Sequence, residues 1–161
     1  FLLCLALVGC SSEVSINQSI TSNFSENNRD PSISGDGKKL AFISERNGTA
    51  SVQIRNIKNG SVVPLRYFSR NKPHSSPSLS WSGRYLALIV NNYNRKIIAI
   101  SDRKDGKLYY IPLYGNKIPE NLELSPDARK IAIEFSDNGR PQVEIFDLTQ
   151  IIEPENHIGI N

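Results

Sequence analysis

Methionine is absent from the 161 residues, and cysteine, histidine and tryptophan number only two, two and one. With no initiator, the chain is expected to be truncated at its N-terminal side. Two cysteines cannot build a disulfide framework, and two histidines leave little room for a zinc site. No apolar run approaches the roughly 20 residues that a membrane-spanning helix needs. Helical periodicity is nowhere sustained over ten residues. Also missing are a Gly-x-Ser-x-Gly elbow, a His-Glu-x-x-His pair, a Cys-x-x-Cys pair and a phosphate-binding glycine loop. These absences lead us to expect a protein that is not an enzyme and needs no cofactor or metal. What remains, 39% apolar and 22% charged residues with a net charge of +3, fits one globular domain.

Residues 1–9, Phe-Leu-Leu-Cys-Leu-Ala-Leu-Val-Gly, form an uncharged apolar run cut short by Ser11-Ser12-Glu13. That length fits the hydrophobic region of a secretory signal whose basic start lies upstream. Leu7-Val8-Gly9-Cys10 resembles the bacterial lipobox, which implies cleavage before Cys10 and lipidation of its thiol. Each acyl methylene buried in a bilayer contributes about 0.8 kcal/mol, so several chains anchor stably. An ordinary signal with a chance cysteine is the alternative. Ser11, where inner-membrane lipoproteins of this pattern carry Asp, favours the outer membrane by the same resemblance. Residues 10–29 read as a polar tether, in which Val14–Ile20 is a candidate for a closing strand.

Beyond residue 30 the chain repeats itself. Ser34-Gly35-Asp36-Gly37-Lys38-Lys39-Leu40-Ala41-Phe42 recurs as Ser80-Trp81-Ser82-Gly83-Arg84-Tyr85-Leu86-Ala87-Leu88 and as Ser125-Pro126-Asp127-Ala128-Arg129-Lys130-Ile131-Ala132-Ile133. The offsets, 46 and 45 residues, match one four-stranded propeller blade. Each repeat has a short strand ending in Ser (Pro31–Ser34, Pro77–Ser80, Asn121–Ser125) and then a Gly/Asp/Pro turn. A doubly buried strand follows (Leu40–Ile43, Leu86–Val90, Ile131–Phe135), then an Asn/Gly hairpin and an alternating third strand. Fourth strands are expected at Val62–Phe68 and Leu108–Leu113, whereas the third repeat ends after its third strand. The prediction is an all-β domain over residues 30–150, about three four-stranded antiparallel blades, with 151–161 as a tail. Three blades are fewer than the 4–8 of closed propellers. An open arc, a tight ring, or half of a six-bladed ring shared by two chains remain open, and blade edges invite a homodimer.

The Ser-Pro-Asp-Gly-Lys-x-Leu/Ile-Ala-Phe core resembles the TolB-like β-propeller repeat family. Repeat one carries Gly35 for Pro, repeat three Ala128 for Gly, and repeat two Trp81-Ser82-Gly83 for Pro-Asp-Gly. The resemblance implies a periplasmic protein-interaction module of the cell envelope, with envelope proteins of Tol–Pal type as partners. Because such repeats also occur in peptidase-associated propellers, a ligand-binding propeller for an anionic glycan or peptide is the second expectation.

Charge is segregated along the chain. Residues 58–117 carry 11 basic and 2 acidic groups, whereas 118–161 carry 3 basic and 9 acidic. Arg70, Arg84, Arg95, Lys96, Arg103 and Lys104 are therefore candidate partner-binding residues. Nucleic acid is not expected in the periplasm. His74 and His157 read as solvated loop residues, Asp102–Gly106 as a plain hairpin turn, and Asp36 and Asp127 as turn-fixing side chains. Trp81 is expected to cover a blade edge.

Overall fold

A computed structural model describes residues 27–66, 68 and 72–156. Cys10, Arg70, His157, and the signal and Val14–Ile20 segments lie outside the described residues. Among the described residues, eleven strands form three antiparallel sheets. The first holds β1 (Asn27–Ile33), β2 (Lys39–Arg46), β3 (Thr49–Asn56) and β4 (Val62–Val63) in that order. The second holds β5 (His74–Leu79), β6 (Tyr85–Asn92), β7 (Arg95–Asp102) and β8 (Lys107–Ile111). The third has three strands, β9 (Ile118–Leu124), β10 (Lys130–Asp137) and β11 (Arg140–Asp147), with β10 central. The strands β1, β5 and β9 lie side by side along the inner line of the array.

Several boundaries differ from the sequence reading. β1 begins four residues early, at Asn27, and β4 and β8 stop at Val63 and Ile111. Pro64 and Pro112 explain the early stops, because proline has no N–H to extend a ladder. Pro31 and Pro77 instead sit in bulges, between Arg29 and Ser32 and between Ser75 and Ser78, where no ladder bond is needed.

The repeated turn is locked the same way three times. Ser34 N–H donates to the Lys39 carbonyl, its Oγ accepts from Lys39 N–H, and Gly37 N–H donates to the Ser34 carbonyl. Ser80, Tyr85 and Gly83 repeat the pattern, as do Ser125, Lys130 and Ala128. The third residue of each set is left-handed, at φ 68°, 68° and 57°, which suits glycine and strains Ala128. Asp36 and Asp127 accept the N–H of Lys38 and Arg129, as predicted.

Adjacent blades bury two apolar layers. Ala41, Ile43, Val52 and Ile54 of the first meet Leu79, Leu86, Leu88 and Val90 of the second. Ala87, Ile89, Ile98 and Ile100 meet Leu122, Leu124, Ile131, Ile133 and Phe135 of the third. Polar columns fix the register between blades. Ser32 Oγ accepts from Leu79 N–H at 3.1 Å and Ser78 Oγ from Leu124 N–H at 2.9 Å. Asp30 accepts from Ser76 N–H, and Ser76 Oγ from Leu122 N–H. A backbone relay runs along the turns, Asp36 N–H to the Trp81 carbonyl and Trp81 N–H to the Pro126 carbonyl. The Trp81 indole lies over the turn of blade one, where a Cβ on Gly35 would come within 2.5 Å of its Cε3. That contact explains why repeat one carries glycine where repeat three has Pro126.

Candidate functional site

Strand register brings Tyr85 opposite Asp102, so Arg84 and Asp102 meet at the turn end of blade two. The guanidinium grips the buried carboxylate through Nε at 3.1 Å and Nη2 at 2.8 Å. Burial alone would raise Asp102, but the bonds from Arg84 and from Lys104 N–H outweigh it and hold the carboxyl below its usual range. The Asp102 hydrogen bond raises the Arg84 pKa against burial. Residues 148–156 fold back onto this end. Leu148 and Ile152 are buried in the core between blades two and three, Glu153 pairs with Arg84 at 3.0 Å, and Tyr85 Oη donates to the Glu153 carbonyl at 2.7 Å. Burial pushes the Tyr85 phenol up to about 12. Glu155 takes hydrogen bonds from Ser82 N–H and Oγ.

His74 is a correction: it is not a solvated loop residue but a buried member of β5. The short β4 pairs only with Ile54 and Arg55, leaving the Val52 N–H uncovered on the edge of β3. His74 Nδ1 accepts that N–H at 3.2 Å, which places the imidazole proton on Nε2. Among the described residues Nε2 has no hydrogen-bond partner, and the Phe68 ring packs edge-on at 5.5 Å. Burial pushes the imidazole down to about 4. Beside it, Arg46, Gln53, Arg55, Val63 and Leu65 help line an open cleft of about 400 Å³.

The hairpin end of blade two is different in kind. Its turn residue Tyr93 is left-handed at φ 56° and 93% exposed. The same position holds Asn47 in blade one and Asn138 in blade three, both also left-handed. Asparagine tolerates that conformation and tyrosine does so poorly. Lys72 Nζ lies 6.0 Å from the Tyr93 ring centre, and Arg95 reaches the Leu113 carbonyl beside Tyr114, itself 80% exposed.

The basic candidates thus separate. Arg84, Arg103 and Lys104 lie at the turn end, while Arg95 and Lys96 lie at the hairpin end, the length of β7 away. Arg84 is committed to Asp102, and Arg103 donates to the Gly83 carbonyl, its pKa lowered by burial. Lys96 pairs with Glu120 at 2.6 Å. Asp102–Gly106 is a hairpin turn, closed by Gly106 N–H on the Asp102 carbonyl. The sequence reading missed Tyr93 and Tyr114; the signal available was a tyrosine in a turn slot held elsewhere by asparagine.

Stacked antiparallel sheets with adjacent inner strands and a 45–46-residue period define consecutive blades of a β-propeller. Solved structures carry the same arrangement. TolB from Acinetobacter baumannii superposes with a TM-score of 0.60 at 16% identity over 76% of this chain and 30% of its own. A TolB-like protein of Agrobacterium tumefaciens gives 0.63 at 16% identity, over 80% of this chain and 47% of its own. The β-propeller domain of the Trilobed protease from Pyrococcus furiosus gives 0.59 at 23%, over 80% and 42%. The chain therefore spans less than half the length of these neighbours, and the likeness concerns the fold. No protein-family model matches the sequence, and no curated protein is similar to it in sequence.

Proposed function

We propose that the chain is a non-enzymatic β-propeller module that binds a protein partner on the periplasmic side of a bacterial envelope, held there by lipid on Cys10. Tyr93 carries this reading. An aromatic side chain kept in a costly left-handed turn, almost fully exposed, contributes nothing to packing, and tyrosine with arginine is the composition that protein interfaces favour. The hydrogen-bonded turns and polar columns present it from a rigid support. Envelope proteins of Tol–Pal type are the partner class that the TolB-like fold suggests.

The charge of the central blade supports a second reading. With 11 basic and 2 acidic groups across residues 58–117, the Tyr93, Lys72 and Arg95 surface also suits an anionic glycan or peptide. One variant tests the shared surface. Tyr93→Asn should leave the domain equally or more stable while lowering capture of the partner at least tenfold. Unchanged capture would remove Tyr93 from the binding surface. Replacing Cys10 by Ser should release the protein from the membrane fraction; a bound protein of unchanged mass would contradict the anchor. If capture by wild type is abolished by a competing acidic polysaccharide and no protein adduct forms, the second reading stands instead.

A further inference from the structure

Blades one and two are built differently at their outer edges, and the difference leaves a site. In blade two, β8 pairs with β7 from Asp102 as far as Ile98, which lies opposite Ile111. In blade one, β4 pairs only with Arg55 and Ile54, because Pro64 follows Val63 and has no N–H to continue the ladder. Val52, one repeat before Ile98, therefore has no strand neighbour on that side among the described residues. His74 Nδ1 takes its N–H instead. One repeat before and after His74 stand Asn28 and Pro119, so the imidazole is peculiar to this blade.

The cleft of about 400 Å³ runs along Ser51–Arg55 and is also lined by Val63, Leu65 and Phe68. It thus occupies the position that the far half of β8 has in blade two. His74 lines it too, and is only 3% exposed. With Nδ1 accepting, Nε2 carries the proton and has no acceptor among the described residues. Buried donors almost always have a partner. The imidazole therefore moves the donor of β3 outward by one ring: it takes the Val52 N–H and offers a second N–H to whatever fills the cleft.

Charge decides the kind of occupant. Residues 62–74, which contribute Val63, Leu65, Phe68 and His74 to the lining, include three basic groups and no acidic one. We propose that this cleft binds an extended acidic peptide, whose main-chain carbonyl accepts from His74 Nε2–H while an apolar residue lies against Val63, Leu65 and Phe68. Peptides commonly bind by taking the place of a strand at an uncovered sheet edge. The volume falls within the range of about 300–1,000 Å³ usual for small-ligand sites, so it takes a short stretch of chain. A free anion would leave the apolar part of the lining unused.

The test uses the full chain with Cys10→Ser and with His157→Gln, so that one imidazole remains, grown on nitrogen-15-labelled histidine. It is titrated with acetyl-Glu-Val-Val-Glu-amide. We expect the Nε2 resonance of His74 to shift and its proton to exchange with water at least tenfold more slowly. The charge-reversed peptide, acetyl-Lys-Val-Val-Lys-amide, should bind at least tenfold more weakly. Gln53→Glu, which adds a carboxylate to the half-buried lining, should weaken the acidic peptide as much with an unchanged urea midpoint. An unmoved Nε2 resonance, equal binding of the two peptides, or equally tight binding of sodium acetate would overturn the proposal. None of these readouts involves Tyr93 or an envelope protein, so failure here leaves the proposed function standing.

Discussion

Acidification should destabilise the domain through one residue, His74. Its Nδ1 is the acceptor for Val52 N–H, and its ring is buried between β3 and Phe68. Protonation would put a second N–H where an acceptor is needed and a charge where there is little water. The folded pKa, about 4, lies below the ordinary value of 6.5. Stability from the neutral ring is therefore complete above pH 6.5 and is lost as pH falls toward 4. At about 1.4 kcal/mol per pH unit the loss amounts to about 3 kcal/mol across that window. Other groups can be separated from it. The carboxyls of Asp36, Asp102 and Asp127 are held below 3.8 and act at lower pH. Glu123, raised by burial, contributes in the opposite direction as pH falls. The assay is urea unfolding between pH 7 and 4.5, followed by the fluorescence of Trp81, for wild type and His74→Phe. The variant should lose about 1–3 kcal/mol at pH 7, when Val52 N–H loses its acceptor, and then show a much flatter pH profile. Parallel profiles for the two proteins would refute the assignment.

Ser78→Ala removes the buried acceptor of Leu124 N–H and should cost about 1–3 kcal/mol in urea unfolding, with the same tertiary fold by circular dichroism. Arg84→Leu strands the Asp102 carboxylate and should cost about 3–5 kcal/mol, whereas Glu153→Gln, on the exposed side of the same guanidinium, should cost less than about 1 kcal/mol. Gly37→Ala meets no neighbouring atom within 4 Å but must hold φ 68°, so thermal unfolding should show a loss of about 1–2 kcal/mol from backbone strain alone.

The blades were legible because each one is a local event. The serine-led turn, the apolar second strand and a two-residue hairpin, Asn-Gly in blades one and three, recur at a fixed period, and hairpin register follows from turn length. By the same arithmetic, Asn92 opposite Arg95 sets Tyr85 opposite Asp102, so the Arg84–Asp102 pair was open to prediction from the hairpin. His74 was not. Pro73 and Ser75 around it read as loop, and its burial depends on an edge 22 residues away that β4 fails to cover. Ile152 was hidden for a related reason: the adjacent pair Ile151-Ile152 in a polar stretch gives no period, and only the returning chain shows that Ile152, not Ile151, is buried beside Leu148. The site was legible as composition and not as place. Segregated charge marked the central blade, but only strand direction shows that its cations divide between two ends.

The central claim is that Tyr93 faces a protein partner in the envelope. A photo-cross-linking amino acid at position 93, with position 138 as the matched turn of blade three, tests it in intact cells. The account predicts a discrete adduct with an envelope protein from position 93 and none from position 138. No adduct at 93, or the same adducts at both positions, would contradict it.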